Sequence, residues 1–286
     1  MALFGLPSVG TFRRALGRKR AFGWIPDERH PRGERNVAEF DKLGLSSARA
    51  VTATSGYRSL AVYGGPNPLQ PPTNSCVLHL MASAERRTLH ARYGVRGELG
   101  SRLAPYFWTR WKDGLHRFDD GCYPSTAVEV YAENGVVLES AWPFDWRKVN
   151  VKPPASVVWD ARQRRGVRGT YRIYDRGDAL FEALAAAHHA GISVGFGFEV
   201  GSDLAEGNEE WRFEWGDRGG FQGRHMVELV ALAYVDGQLW GQIANWWPWW
   251  GLGSSDTEGG YAWLDQEYLE HASDWTLVDP DGEAAQ

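Results

Sequence analysis

Cys76 ends the polar, turn-prone stretch Gln70-Pro71-Pro72-Thr73-Asn74-Ser75 and begins the run Val77-Leu78-His79-Leu80-Met81-Ala82. This junction reads as the mouth of a helix. Asn74 or Ser75 suits an N-cap, and Val77, Leu80, Met81 and Ala84 recur at i, i+3, i+4 and i+7, one apolar stripe ending around Arg86-Arg87. Unpaired backbone N–H groups and the positive end of the helix dipole favour a thiolate over a thiol there. The expected chemistry is therefore nucleophilic attack by Cys76, with the side-chain amide of Gln70 six residues upstream.

A nucleophilic thiol needs a base within hydrogen-bond reach and a group that holds that base in the right tautomer. Among the 8 His, His225 opens the strand-like run Gly223-Arg224-His225-Met226-Val227-Glu228-Leu229-Val230. Asn245 closes the next apolar stretch, Ile243-Ala244-Asn245, ahead of Trp246-Trp247-Pro248-Trp249-Trp250. If these runs are neighbouring strands, His225 and Asn245 come side by side.

The elements that must position these groups differ along the chain. Helical segments are expected at 101–112, at 125–134 with Asn134-Gly135 as its stop, and at 177–189 with Asp178 near its start and Gly191 past its end. Pro153-Pro154 breaks the chain between them. Strands are expected at 192–200, 226–234, 239–244 and 261–264, with Asp236-Gly237 as a hairpin turn. Residues 1–50 read as an N-terminal extension or arm, with short β-like pieces at 51–70 and a C-terminal tail at 271–286. The arm carries Arg13, Arg14, Arg18, Lys19 and Arg20 and the charge-dense run 28–35. It is read as a solvated arm across the domain, with a docking arm for an assembly partner as the other reading.

With 286 residues, 43% hydrophobic and 23% charged, the chain has material for a proper core. The 15 Trp and 34 Gly point to loops and sheet turns with aromatic packing rather than a helical bundle. A net charge of −5 gives no general attraction to nucleic acid, and no apolar run is long enough to span a bilayer. Basic residues follow the short apolar start instead of preceding it, so no secretory signal is read, and a cytoplasmic place or one within a phage particle is expected. Two cysteines make no disulfide framework. No metal-ligand spacing and no cofactor motif is found.

The motifs, in their order, resemble the papain-like cysteine peptidases (peptidase C1 family), in the style of compact bacterial and phage members. Gln70 stands where the family has its oxyanion glutamine, and Ser75-Cys76 matches its Ser-Cys pair. Gly223-Arg224-His225-Met226-Val227 is similar to Gly-Gly-His-Ala-Val. Asn245-Trp246-Trp247, Trp250-Gly251 and Gly260-Tyr261 are similar to the Asn-Ser-Trp-Gly, Trp-Gly and Gly-Tyr series. Residues 135–144 resemble Gly-Val-x-x-Glu-x-x-Tyr-Pro-Tyr. His225 falls within the family's spacing of about 130–150 residues from the cysteine, and Asn245 slightly beyond it. The departures are Asn74 for glycine, Val77 for an aromatic residue, and Trp246 and Pro248 in the Asn-Ser-Trp-Gly motif. Thr73 replaces a cysteine of secreted relatives, leaving Cys122 as a buried free thiol. No long inhibitory propeptide is legible.

The resemblance implies an α+β fold over residues 51–270. A helical front subdomain, about 51–150, carries the nucleophile; a β-sheet or barrel rear subdomain, about 151–270, faces it across a cleft. It further implies peptide-bond hydrolysis through a thioester, with Cys76 as nucleophile and His225 as general base and acid. Asn245 would orient His225, Gln70 would complete the oxyanion hole, and Trp247 would wall the site. The expected partner is a polypeptide substrate. The other readings are acyl transfer to an amine, and a papain-like scaffold serving a phage particle or other assembly. His79 is expected on a helix surface, and His188-His189 late in a helix where positive charge is welcome. The Trp246–Trp250 cluster is expected as core and active-site wall rather than a sugar platform. The acidic run Asp203, Glu206, Glu209, Glu210, Glu214 and Asp217 is expected as a solvated loop, or one favouring basic substrates.

Overall fold

A computed structural model describes residues 22–27, 35–36, 58–70, 72–164 and 167–280. Most of the expected arm, with its basic residues at 13–20 and the run 28–34, lies outside the described residues, as do 51–57 and 281–286.

The front half is built on α1 (Cys76–Tyr93), with α2 (Leu103–Lys112), α3 (Pro124–Asn134) and α4 (Ala155–Arg164) around it. α1 begins where the sequence places it but continues to Gly94, whose left-handed φ of 72° ends it. Its burial is wider than one stripe, because Cys76 to Glu85 and Arg87 to Leu89 are all buried. Polar side chains can lie on those extra faces because each finds partners. Arg87 Nε donates to Glu228 Oε1 at 2.7 Å, with both side chains fully buried. Arg87 also donates to the carbonyls of Leu60, Ala61 and Tyr63, while Ser83 Oγ donates to Glu228. Breaking a buried pair by removing one partner costs about 3–5 kcal/mol. Arg87→Ala should therefore lower unfolding stability by that order in urea titration; an unchanged midpoint would show that the pair does not tie α1 to the sheet.

The rear half is one sheet in the order β1-β2-β8-β3-β5-β6-β7-β4. Its strands are β1 (Arg35–Asn36), β2 (Val167–Arg172), β3 (Val194–Gly201), β4 (Arg212–Phe213), β5 (Phe221–Val235), β6 (Gln238–Pro248), β7 (Gly259–Asp265) and β8 (Ser273–Pro280). Helix α5 (Asp178–His189) and the single turns α6 (Ser202–Glu206) and α7 (Gln266–Glu270) accompany the sheet. Asp236 and Gly237, at φ 53° and 81°, form the expected two-residue hairpin between β5 and β6.

Residues 273–280, read from sequence as tail, form β8 inside the sheet between β2 and β3, with Trp275, Leu277 and Val278 buried. The extension likewise contributes to the fold: Arg35–Asn36 pairs parallel with β2, and Trp24 is buried in the front core. One hydrophobic cluster fills the rear half from Tyr171 to Leu277, and a second surrounds α1 with Cys76, Leu80, Tyr106, Met226 and Trp246. The two-part α+β architecture is thus the expected one.

Candidate active site

Cys76 is the first residue of α1 and is wholly buried. β5 brings Met226, the neighbour of His225, against it: the backbone N–H groups of Met226, Val77 and Cys76 itself act on the sulfur. The β5–β6 hairpin pairs Glu228 with Ala244 and so sets His225 and Asn245 at the same end of adjoining strands. Asn245 Oδ1 lies 2.8 Å from His225 Nε2 and accepts the Trp246 backbone N–H at 2.7 Å. That second bond fixes which way the amide faces. Trp247 stacks on the His225 ring at 4.4 Å between centroids and 24° between planes, 2% exposed itself. Asn245 thus engages Nε2 of the His225 ring, the nitrogen whose partner fixes the tautomer.

Gln70 is buried beside this group. Its Nε2 donates to Thr73 O at 2.8 Å and to the carbonyl of Phe22 at 3.2 Å. All five residues singled out in the sequence, Gln70, Cys76, His225, Asn245 and Trp247, are thus gathered at the junction of the two halves. Cys76 and Cys122 are both free and buried thiols.

Residues 22–27, read in the sequence as part of a solvated arm across the domain, cross this junction with Trp24 and Asp27 buried. Gly23 N donates to Arg224 O, Cys122 N to Gly23 O at 2.9 Å, and Ile25 N to Cys122 O. Asn74, which stands where the family has glycine, anchors the segment: its Oδ1 accepts Phe22 N at 3.1 Å. Asp119 in turn holds Asn74 through the Asn74 backbone N–H at 3.0 Å, and Tyr106 OH donates to Asp119 at 2.6 Å. The Phe22 ring meets His225 and Trp247 edge-on, at 6.4 and 5.8 Å. Gly23 is required here, because at its φ of 135° a Cβ would stand 1.9 Å from Asn74 O. An apolar Phe-Gly-Trp triplet within an otherwise charged extension was the available signal.

The covered site alters the expected electrostatics. Complete burial pushes the Cys76 thiol up to about 12, against the opposing backbone N–H groups and with the charge of Asp119 adding to the rise. The covered state therefore holds a thiol, not the thiolate that helix position alone suggests. Cys122, also fully buried, is raised well above the ordinary thiol range.

Two histidine expectations are corrected. His79 is fully buried, its Nδ1 3.0 Å from Ser75 O and its Nε2 2.8 Å from Leu69 O. Burial, and then the Arg102 charge, holds its pKa well below the usual histidine value. His188 is also buried, with Nε2 3.0 Å from Leu229 O, and burial lowers its pKa to about 4. It is a neutral core residue, not a helix-end cation. Of the Trp cluster, Trp246, Trp247 and Trp250 are buried as core, with Trp246 Nε1 donating to Met226 O, whereas Trp249 is 39% exposed. Glu206, Glu209, Glu210, Glu214 and Asp217 are exposed.

No protein-family model and no curated protein sequence matches the chain. Solved structures do. Xylellain, a cysteine protease from Xylella fastidiosa, superposes with a TM-score of 0.71 at 23% identity, over 92% of this chain and 97% of that one. Procathepsin B S9 from Trypanosoma congolense gives 0.58 at 15% identity over 94% and 89%, respectively. Digestive procathepsin L 3 from the Tenebrio molitor larval midgut gives 0.55 at 14% over 95% and 78%. On the shared architecture across nearly its whole length, this chain has the papain-like fold of cysteine proteases.

Proposed function

We propose that this protein is a cysteine-type endopeptidase that hydrolyses peptide bonds through Cys76, His225 and Asn245. The observation that carries the reading is the His225 Nε2–Asn245 Oδ1 contact of 2.8 Å, under Trp247 and on the strand that meets Cys76. His225 Nδ1 takes the thiol proton and the sulfur attacks the scissile carbonyl carbon. The developing oxyanion is held by Gln70 Nε2 and the Cys76 backbone N–H. The imidazolium then protonates the leaving amine, and water, activated by the same ring, releases the acid from the thioester.

For a substrate to enter, residues 22–27 must leave the cleft, because the Phe22 carbonyl now takes the Gln70 donor. That covered cleft is the one feature favouring the scaffold reading, in which the fold serves an assembly without turning over. Digestion of denatured casein, with mass spectrometry of the fragments, separates the two. Internal cleavage that is lost in Cys76→Ala supports the peptidase, and no cleavage even after Trp24→Ala has opened the cleft supports the scaffold.

Gln70→Ala should slow hydrolysis by about 10²–10³-fold in kcat, the usual cost of one oxyanion donor. A Gln70→Ala protein as fast as the parent would remove that side chain from the reaction.

A further inference from the structure

The segment crossing the cleft leaves a cast of the pocket beside the thiol. Trp24 is 6% exposed and packs in the cluster that holds Cys76, Cys122 and Met226. Its indole lies flat against β3 at Gly197, where a Cβ would come within 2.3 Å of the ring. At the far end Trp24 Nε1 donates to Asp274 Oδ2 at 2.7 Å. The pocket thus has a flat floor that only glycine leaves open and a carboxylate acceptor at its end.

Asp274 is held for this role. It sits in the left-handed region at φ 53°, an uncommon conformation for a residue with a side chain. Its Oδ1 accepts from Arg172 Nη1 at 2.7 Å, a bond between two nearly buried groups. Its Oδ2 accepts from Trp24 Nε1 and from the backbone N–H of Asp27 at 3.2 Å. Both Oδ2 donors belong to the segment, so withdrawal of residues 22–27 leaves that oxygen open while Arg172 still balances the charge.

We propose that Gly197 and Asp274 select tryptophan in the polypeptide substrate, seating its indole where Trp24 now lies. The assignment rests on the peptidase reading of the same cleft. A neutral ring with one edge N–H fits the floor and the open Oδ2 together. A guanidinium would bring a second cation toward Arg172, and phenylalanine would fill the floor but leave Oδ2 without its donor.

The test uses the full-length chain with Cys76→Ala and Trp24→Ala, so that binding is read without turnover. Fluorescein-labelled peptides differ only at one residue: tryptophan, 3-benzothienylalanine, arginine or leucine. Benzothienylalanine keeps the bicyclic shape of tryptophan and lacks its N–H. The tryptophan peptide should bind about tenfold tighter than the benzothienyl one, the scale of one hydrogen bond to a charged acceptor. Gly197→Ala added to the pair should remove the preference for either bicyclic ring over leucine. Equal binding of tryptophan and benzothienylalanine, or tighter binding of arginine, overturns the assignment.

If Trp24→Ala does not fold, Trp24→Phe keeps an aromatic ring on the floor and removes the donor together with the second ring. With Cys76 intact, it should then label with iodoacetamide faster than the parent; unchanged labelling counts against the Asp274 bond. Selective binding without hydrolysis by the Cys76-intact protein would retain the pocket and remove the peptidase reading alone.

Discussion

His225→Ala should reduce kcat for peptide hydrolysis by about 10²–10⁴-fold, the range for loss of a positioned general acid and base, with KM little changed. The imidazole is buried, stacked on Trp247 and held by Asn245, so in the proposed mechanism it serves the proton rather than substrate binding. Its removal leaves Asn245 Oδ1 still accepting from Trp246 N, which keeps the local hairpin in place. Circular dichroism and unfolding midpoints matching the parent would confirm that only chemistry was lost. Hydrolysis at the parent's rate would place the base elsewhere.

Trp24→Ala in the full chain should accelerate iodoacetamide labelling of Cys76 at neutral pH by about 10²-fold. Burial holds the Cys76 thiol at about 12 in the covered protein. Returning it toward the ordinary value near 8.5 raises the thiolate fraction by about three orders of magnitude. Lower basicity reduces intrinsic nucleophilicity, with a Brønsted coefficient of about 0.4–0.5, so roughly half of the logarithmic gain survives. The sign with pH follows: the covered protein gains reactivity with each step upward in pH toward its high thiol pKa, whereas the uncovered one levels off earlier. Equal acceleration of Cys122 would instead indicate general loosening of the fold, because that thiol is also raised by burial.

The site was legible in the sequence through local chemical punctuation, although only Cys76 opens an element, while His225 and Asn245 lie inside β5 and β6. Cys76 follows a polar, turn-prone stretch, His225 follows Gly223-Arg224 and precedes an apolar run, and Asn245 ends an apolar run before tryptophans. Each helix and strand carrying them has a pattern of its own. What was not legible depends on contacts between distant parts of the chain. The stretch at 273–280 ends in polar residues and reads as tail, yet β2 and β3 flank it and bury its apolar side. His79 and His188 look solvated by type, but carbonyls of Leu69, Ser75 and Leu229 satisfy them in the interior. Arg87 reads as the end of α1 and is instead mid-helix, paired with Glu228 from β5. The thiol's state has the same origin: helix position is local, whereas burial of Cys76 comes from a cluster that gathers Trp24, Tyr106, Met226 and Trp246 from distant parts of the chain.

The measurement closest to the central claim is labelling of the full-length Trp24→Ala protein with a thiol-directed peptidyl epoxide, followed by mapping of the modified residue. Rapid modification confined to Cys76, and lost when His225→Ala is added, is the result the account predicts. Modification of neither thiol, or equally slow modification of Cys76 and Cys122, would contradict it.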